Sequence, residues 1–510
     1  MIDNFIVLPL LMHMATAILL LLLWNRSIVH RVVSVISNFA ILIVSIILMT
    51  RTWNEGVLTM QAGNWPAPFG ITFVSDMFSS TMVLLTAISA LCISIYSTVG
   101  VNQARMKYGY FPISHFLFMG LNGAFLTGDV FNLYVWFEVV IISSFVLMTL
   151  GGKKPQMESA IKYVAINMLA SVVFLTAIAI LYGLTGSLNM ADLSLKIAEI
   201  DNRPLINVTG LLFFIGFGIK SAVFPLYFWL PSSYHTPPSS IAAIFGGLLT
   251  KMGIYALMRF FTLIVVPTEF TTNLMTYVAV ATLITGALGM LVKNDFRRMF
   301  SYLIICHIGY MVAGLGLFSE LALAGALFYL FHDIIAKTNL FLIGGLIYRI
   351  KGTRNMLNLG GMYTVYPKLS FVMAIVLFSI VGVPPLSGFW PKINLFQAAF
   401  QQYSYLLIGA LILASFITLF VIARMWSEVF WKPQPVLLPG ERSGINRFDS
   451  LRTFDKSLLV LPVILLTAVS IYIGFGADYV MAVSQRIAAE MMDTSAYVQA
   501  VLGADYLNVN

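Results

Sequence analysis

The sequence predicts an all-α polytopic membrane protein of about 14 transmembrane helices, and three observations carry that prediction. Of its 510 residues, 59% are hydrophobic and only 10% are charged, whereas soluble domains run near 45–50% apolar and about 25% charged; the mean hydropathy is +0.91. Apolar runs of about 20 residues, the length that crosses a bilayer core, follow one another almost end to end. Basic residues gather in alternate loops, as they do in a chain threaded repeatedly through a membrane.

Taken in order, the runs at 3–24, 32–50 and 74–99 make an N-terminal three-helix segment within residues 1–108. The opening Met1-Ile-Asp-Asn has no basic stretch and no small-residue cleavage site, so the first run is expected to be a retained span. Between the second and third runs, RTWNEGVLTMQAGNWPAPFGITF (51–73) alternates apolar residues with Gly, Asn and Pro and predicts an outer β-hairpin. Spans four to eight follow at 109–127, 130–150, 157–183, 205–229 and 238–262, and spans nine to thirteen at 272–292, 299–318, 322–347, 370–400 and 405–431. A loop, a last span at 457–476 and a tail complete residues 432–510. The tail 477–510 is amphipathic, which suits a membrane face or a partner as well as a solvated end.

The net charge of +8 is mostly topogenic. Loops after odd-numbered spans hold Arg26 and Arg31; Arg105 and Lys107; Lys153 and Lys154; Lys293, Arg297 and Arg298; Arg349, Lys351, Arg354 and Lys368; and Lys432, Arg442, Arg447, Arg452 and Lys456. The opposite side has only Arg51, Lys196, Arg203 and Arg486, amid nine acidic residues from Glu55 to Asp493. By the positive-inside rule both termini are expected outside the cytoplasm. No basic face suited to nucleic acid exists. Cys92 and Cys306, each within an apolar run, exclude a disulfide scaffold, a thiolate zinc site and an iron–sulfur cluster. No cofactor is expected.

Several charges stayed inside the spans, where they are costly and usually face a bundle interior or an aqueous path. Glu138 lies in FNLYVWFEVVIISSFVLM with no cation at i±3 or i±4. Lys220 (GFGIKSAVFPLYFWLP) sits in a helix interrupted by Pro225 and Pro231 and is expected to pair with Glu138 as a proton switch. Lys251 follows in GGLLTKMGIYALMRF, where Gly246 and Gly247 permit close helix approach. Arg259, two turns on, is expected to snorkel outward and is left out of the site. In FYLFHDIIAKTNLFLIGG, Asp333 and Lys337 stand at i, i+4 and can pair locally. His332 and His307 complete a candidate relay, because imidazole gives and takes protons near neutral pH. A metal site is not expected, since neither histidine belongs to an HxxxH or HExxH spacing.

Lys392 follows a second broken span, SIVGVPPLSGFWPKINLFQAAF, with Pro384, Pro385 and Pro391. This echoes the Lys220 segment five spans earlier, and an odd offset inverts topology. Residues 109–262 (spans four to eight) and 272–431 (spans nine to thirteen) are therefore expected to be inverted repeats, with broken helices 7 and 12 marking a transport path. Glu138, Lys220, Lys251, His307, His332, Lys337 and Lys392 would then form a lateral polar axis at mid-membrane.

The array of a Glu in the fifth span, Lys in the seventh and eighth, HDIIAK in the eleventh and PPLSGFWPK in the twelfth resembles the antiporter-like subunits shared by respiratory complex I and the Mrp multi-subunit Na+/H+ antiporters. The segment FPLYFWLPSSYHTPPSS belongs to that superfamily pattern as well. The hairpin QAGNWPAPFGITFVSD, the end near residue 510 and Lys392 in place of a glutamate make the chain most similar to the D-type subunits of the Mrp (Mnh/Sha) antiporters. That resemblance implies fourteen helices, two inverted five-helix bundles, and assembly with a large A-type chain and small membrane subunits in a bacterial cytoplasmic membrane. It implies Glu138 with Lys220 as the key ion pair, Lys251 as the connecting lysine and Lys392 as the terminal one. The expected function is proton translocation coupled to Na+ export. The competing expectations are a proton-pumping subunit of a complex I-type redox complex, a membrane-embedded enzyme, and a structural subunit whose ion pairs only hold helices together.

Overall fold

A hydrocarbon core about 30 Å thick asks for about 20 helical residues per crossing. Among the residues described by the computed structural model, 4–435 and 446–503, twelve helices are long and apolar enough to cross. They include α1 (Leu8–Leu22, extended by a 3-10 turn from Asn4), α2 (Ser27–Glu55) and α3 (Met77–Gly100). After α4 (Tyr110–Leu126) come α5 (Val130–Thr149), α6 (Lys154–Thr185) and α7 (Arg203–Ser221), then the short helix α8 (Trp229–Ser233) and α9 (Ser239–Ile264). The second half holds α10 (Glu269–Leu291), α11 (Phe296–Leu317), α12 (Glu320–Lys351), the half-helices α13 (Pro367–Val381) and α14 (Phe389–Gln401), α15 (Tyr405–Trp431) and α16 (Thr453–Phe475). The two expected spans outside the twelve are α4, with 17 residues, and the broken pair α13–α14, neither half of which is long enough alone.

Burial divides these helices by role. The apolar windows of α9 and α12 are wholly buried and that of α11 nearly so, whereas α2 buries little more than a quarter of its window. The inner three therefore form a core shielded by the others, and Lys251, His307, His332, Asp333 and Lys337 lie on them. Close approach is required there: a Cβ at Gly247 would strike the Thr338 hydroxyl, so α9 meets α12 through bare backbone.

One device recurs in the two halves of the chain. Asp129 caps the start of α5, and its backbone bridges antiparallel to Asn189. Asp295 caps α11 and bridges to Asn355. In the first unit Val130 N–H donates to Leu188 O and Met190 N–H to Gly128 O; in the second, Phe296 N–H donates to Arg354 O and Met356 N–H to Asn294 O. Each staple joins the start of one span to the end of the next, which satisfies helix-end groups that would otherwise be orphaned.

Strands β1 (Leu58–Gln61) and β2 (Thr72–Ser75) form the expected antiparallel hairpin, with Leu58 opposite Ser75 and Gln61 opposite Thr72. It starts later than expected because α2 runs on to Glu55, held by the Arg51–Glu55 pair at 3.0 Å. The tail resolves into α17 (Ala477–Met492) and α18 (Ser495–Leu502), which cover this chain's own surface beside the hairpin. Arg486 donates to the Trp53 carbonyl at 2.8 Å and the Thr59 hydroxyl to Ala500 O at 3.3 Å. At the opposite end Arg349 donates to Val99 O and Arg424 to Leu291 O, so the basic loops gather at one end. Arg442 lies outside the described residues.

Arg259 departs from expectation. It does not snorkel; its guanidinium is buried and grips Asp76 through two contacts of 2.6 and 2.8 Å, with the Tyr497 ring of α18 5.4 Å away. The physical reason is that Asp76 caps α3 inside the protein through a capping box with Ser79, and a buried carboxylate requires a counter-charge. Arg259→Met should therefore cost about 3–5 kcal/mol by stranding Asp76, read as a lower melting temperature of the detergent-solubilised protein. The double change Asp76→Asn with Arg259→Met should recover most of that loss. An equally large loss in the double variant would show that packing, not charge pairing, makes Arg259 necessary.

Candidate functional site

Where α9, α11 and α12 meet, four ionisable side chains converge with no exposed surface on any of them. Asp333 of α12 is the hub. Lys251 Nζ lies 2.8 Å from its Oδ2, His307 Nδ1 lies 2.7 Å from its Oδ1, and Lys337 Nζ lies 3.6 Å from that same oxygen. The i, i+4 pairing of Asp333 with Lys337 is thus the longest of the three contacts. Asp333 reaches across to neighbouring helices, and Lys337 also donates to the Leu303 carbonyl at 3.4 Å. Lys251 owes its aim to a π-helical turn at Phe245–Leu249. That wider turn leaves the Gly246 carbonyl able to accept from Lys251 Nζ at 2.6 Å, and such turns recur at functional sites.

On one side of this hub, the expected direct pairing of Glu138 with Lys220 is replaced by a bridge. The Ser171 hydroxyl of α6 donates to Glu138 Oε1, and Lys220 Nζ donates to Ser171 Oγ at 3.1 Å. Lys220 also stands 4.8 Å over the Phe137 ring. Glu138 is only half-buried, so it lies at the rim of the array. The reason for the bridge is local. Lys220 is the penultimate residue of α7, which ends at Ala222 in the left-handed region (φ 63°), and the facing helix α6 supplies the nearest hydroxyl. The broken backbone is closed by Trp229, whose indole donates to Ile219 O at 3.0 Å. A cavity of about 20 Å³, lined by Lys220, Asn167, Tyr163, Tyr234, Leu249 and Met252, separates Lys220 from the π turn below Lys251. It has room for one water.

On the other side, Lys392 meets no carboxylate among the described residues. Its Nζ donates to Val381 O at 2.8 Å, taking up a carbonyl freed at the end of α13, and stands 5.2 Å over the Tyr310 ring. His332 Nδ1 lies 2.8 Å from Ser387 Oγ, which belongs to a triangle of hydroxyls with Ser379 and Ser470. Tyr310 and Tyr329 stack at 4.7 Å, and the Tyr329 ring touches His307 and His332 edge-on. The two breaks share one register. Pro385 and Pro391 follow Pro225 and Pro231 at one common offset of 160 residues, and Gly382 (φ 87°) stands where Ala222 does. Pro384 has Phe224 as its counterpart. The lysines do not match, since Lys220 precedes its break and Lys392 follows its own.

The predicted residues thus fall into three groups: Glu138 with Lys220, joined through Ser171; Lys251, His307 and Lys337, each in contact with Asp333; and His332 and Lys392 at the second break. Sequence reasoning missed Ser171, Tyr310, Tyr329 and the Ser379–Ser387–Ser470 triangle, all uncharged and so without a hydropathy signal inside a span. Only the polar stripe Ser159, Tyr163, Asn167 and Ser171, at successive four-residue steps, could have pointed to α6.

With this geometry in place, the similarities of the chain are informative. Residues 127–418 match the family described as "NADH:quinone oxidoreductase/Mrp antiporter, TM". The D subunit of the Na(+)/H(+) antiporter of Alkalihalophilus pseudofirmus is 40% identical over 501 residues, covering 98% of this chain and 99% of that one. Its counterpart from Bacillus subtilis, also the D subunit of a Na(+)/H(+) antiporter, is 36% identical over 502 residues, with the same coverage. Among solved structures, a chain of the Mrp complex from Dietzia sp. DQ12-45-1b matches with a TM-score of 0.88 at 27% identity, covering 98% of both chains. A chain of an archaeal membrane-bound sulfane sulfur reductase shares the fold, with a TM-score of 0.88 at 23% identity over 98% of this chain and 100% of that one. Matched over more than half its length by the family and over nearly all of it by these relatives, the chain belongs to the NADH:quinone oxidoreductase/Mrp antiporter transmembrane family, in the branch formed by the D subunits of Na+/H+ antiporters.

Proposed function

We propose that this chain is the proton-carrying subunit of a multi-subunit Na+/H+ antiporter in a bacterial cytoplasmic membrane, and part of a transporter rather than an enzyme. One observation carries the reading: two buried lysines and a histidine share the single carboxylate of Asp333, midway along an array that runs from Glu138 to Lys392. A carboxylate balances one ammonium, so the second lysine holds a proton that is electrostatically in excess. Such a centre is set to pass a proton on whenever a neighbouring charge changes.

The Glu138 end supplies that change. Lys220 can give a proton to Ser171 Oγ as Ser171 gives its own to Glu138, which leaves a neutral amine, an intact hydroxyl and a neutral acid. The positive charge on Lys220, beside a water-sized cavity that reaches Leu249 of the π turn, is then lost, which alters the field at the Asp333 hub. Lys251, His307, His332 and Lys337 relay the proton, and Lys392, held by the Val381 carbonyl, terminates the axis. Asp333 is the shared counter-ion. The matched breaks and staples support reading 109–262 and 272–431 as inverted repeats, after an N-terminal segment 1–108 and before 432–510. The basic loops support placing both termini on the outer side.

The array is mostly cationic, which suits protons and not Na+, whose ligands are oxygens. Na+ is therefore carried by other members of the complex, a large A-type chain and small membrane proteins. That such partners exist is supported by the relatives' designation as D subunits and by the Mrp complex that contains the Dietzia chain.

In everted vesicles containing the assembled complex, Glu138→Ala and Lys220→Ala should each abolish the Na+-dependent ΔpH. Intact assembly with undiminished ΔpH would sink the proposal. Ser171→Ala should slow antiport at least about tenfold, since positioned proton transfer contributes about 10²-fold or more, while Ser171→Thr, which keeps a hydroxyl, should be active. Asp333→Asn should destabilise the detergent-solubilised complex by about 3–5 kcal/mol, measured by its melting temperature; an unchanged melting temperature would mean that the lysines do not depend on that carboxylate.

A further inference from the structure

The N-terminal bundle of α1, α2 and α4 contains a polar cluster that the lysine array does not use. His13 of α1 and His115 of α4 meet Nδ1 to Nδ1 at 2.9 Å, and His115 Nε2 lies 2.9 Å from the Ser34 hydroxyl of α2. Both rings are buried. The inner face of α2 continues this polarity through His30, Ser34, Asn38, Ser45 and Thr52, where a lipid-facing bundle would ordinarily bury apolar residues. Several of these buried atoms have no partner among the described residues: His13 Nε2, His30 Nδ1, Asn38 Oδ1 and both amide atoms of Asn122, which lies two turns from His115 on the same face of α4. Each such atom is expensive within a membrane unless water reaches it.

Among the described residues, no formally charged group makes a hydrogen bond or ion pair with either ring. Helices α1, α3 and α4 have no Asp, Glu, Lys or Arg. On α2, Arg31 turns to Met106 and Gln103, and Arg51 pairs with Glu55. Glu138, on the neighbouring α5, faces Ser171 of α6. The contact is therefore between two imidazoles that must hold complementary tautomers, one Nδ1 donating a proton that the other accepts. If the cluster served only to hold helices together, its polar atoms would be partnered by protein, as interhelical hydrogen bonds in membranes are.

We propose that the His13–His115 pair is a proton-transfer site on a second hydrophilic path, through the N-terminal bundle and separate from the lysine array. Start from the state in which His115 bears its proton on Nδ1 and His13 on Nε2. A proton arriving from the Ser34 side binds His115 Nε2; the Nδ1 proton of His115 passes to His13 Nδ1; and His13 releases its Nε2 proton to water. One proton has entered and one has left, with no net change in charge. The pair now bears its protons on His115 Nε2 and His13 Nδ1, and it resets when each ring turns its Nδ1 away from the other and exchanges tautomers with water. The orphan His13 Nε2 is the atom at which this wire must end.

The inference rests on the reading of this chain as a proton carrier, so Glu138→Gln is assayed in parallel. The probe is Na+-dependent ΔpH in everted vesicles, with assembly followed by co-purification. His13→Gln and His115→Gln retain hydrogen-bonding capacity and cannot carry a proton near neutral pH. Each is expected to assemble and to retain less than one-tenth of wild-type antiport, with a several-fold loss for Ser34→Ala. Half or more of wild-type antiport in either glutamine variant overturns the inference, as does failure of all three variants to assemble, which assigns the cluster a structural role. If the glutamine variants are active while Glu138→Gln is dead, only this inference falls. An active Glu138→Gln refutes the proton-carrier reading itself.

Discussion

A buried carboxylate shared by too many cations sets the terms for the rest of this molecule. Asp333 faces Lys251, Lys337 and His307 where none of the four has exposed surface. Ion pairs in such surroundings usually do little for stability, because desolvation offsets their attraction. A pair with an unmatched extra lysine is worse still as a stabilising device. In the proposed function the mismatch has a use: it leaves a proton that is easily displaced by a change of charge nearby. The surrounding architecture follows from this. The apolar windows of α9 and α12 are wholly buried, that of α11 almost so, and α9 meets α12 over Gly247 so that Lys251 and Asp333 come within 2.8 Å.

Broken helices serve the same end. A continuous helix satisfies its own carbonyls and presents an inert surface, whereas the breaks after Ser221 and Val381 free carbonyls in the interior. At the first break the indole of Trp229 takes one of them. At the second, Lys392 does so itself, which gives that lysine a neutral partner in place of a carboxylate. The two ends of the array are therefore held differently although the backbone that holds them is repeated. Glu138 and Lys220 are bridged by the Ser171 hydroxyl, while Lys392 is anchored to a carbonyl dipole.

Much of this was legible in the sequence, for a physical reason. Charge inside an apolar run is so costly that Glu138, Lys220, Lys251, Lys337 and Lys392 announce themselves, and the alternation of basic loops predicts a threading of the spans. The helix breaks were equally plain, because proline leaves few alternatives to a break. What composition could not supply was partner choice. Asp333 and Lys337 are near in sequence, yet Asp333 lies closer to Lys251 and His307 on other helices. Arg259 looked like a snorkelling residue because its partner, Asp76, lies 183 positions away. Ser171, the Tyr310–Tyr329 stack and the His13–His115 contact are uncharged or lone groups whose meaning exists only in three dimensions. The staples at Asp129–Asn189 and Asp295–Asn355 were likewise hidden, since each is made largely by backbone.

The central claim is that the surplus cation at Asp333 is kept for transport and not for stability. Lys251→Met tests it most directly, because it leaves Asp333 and Lys337 as a balanced pair. Melting temperature and Na+-dependent ΔpH, measured on the same assembled preparation, should separate: the variant complex should be at least as stable as wild type and should lose antiport. A Lys251→Met complex that transports at the wild-type rate would contradict the claim.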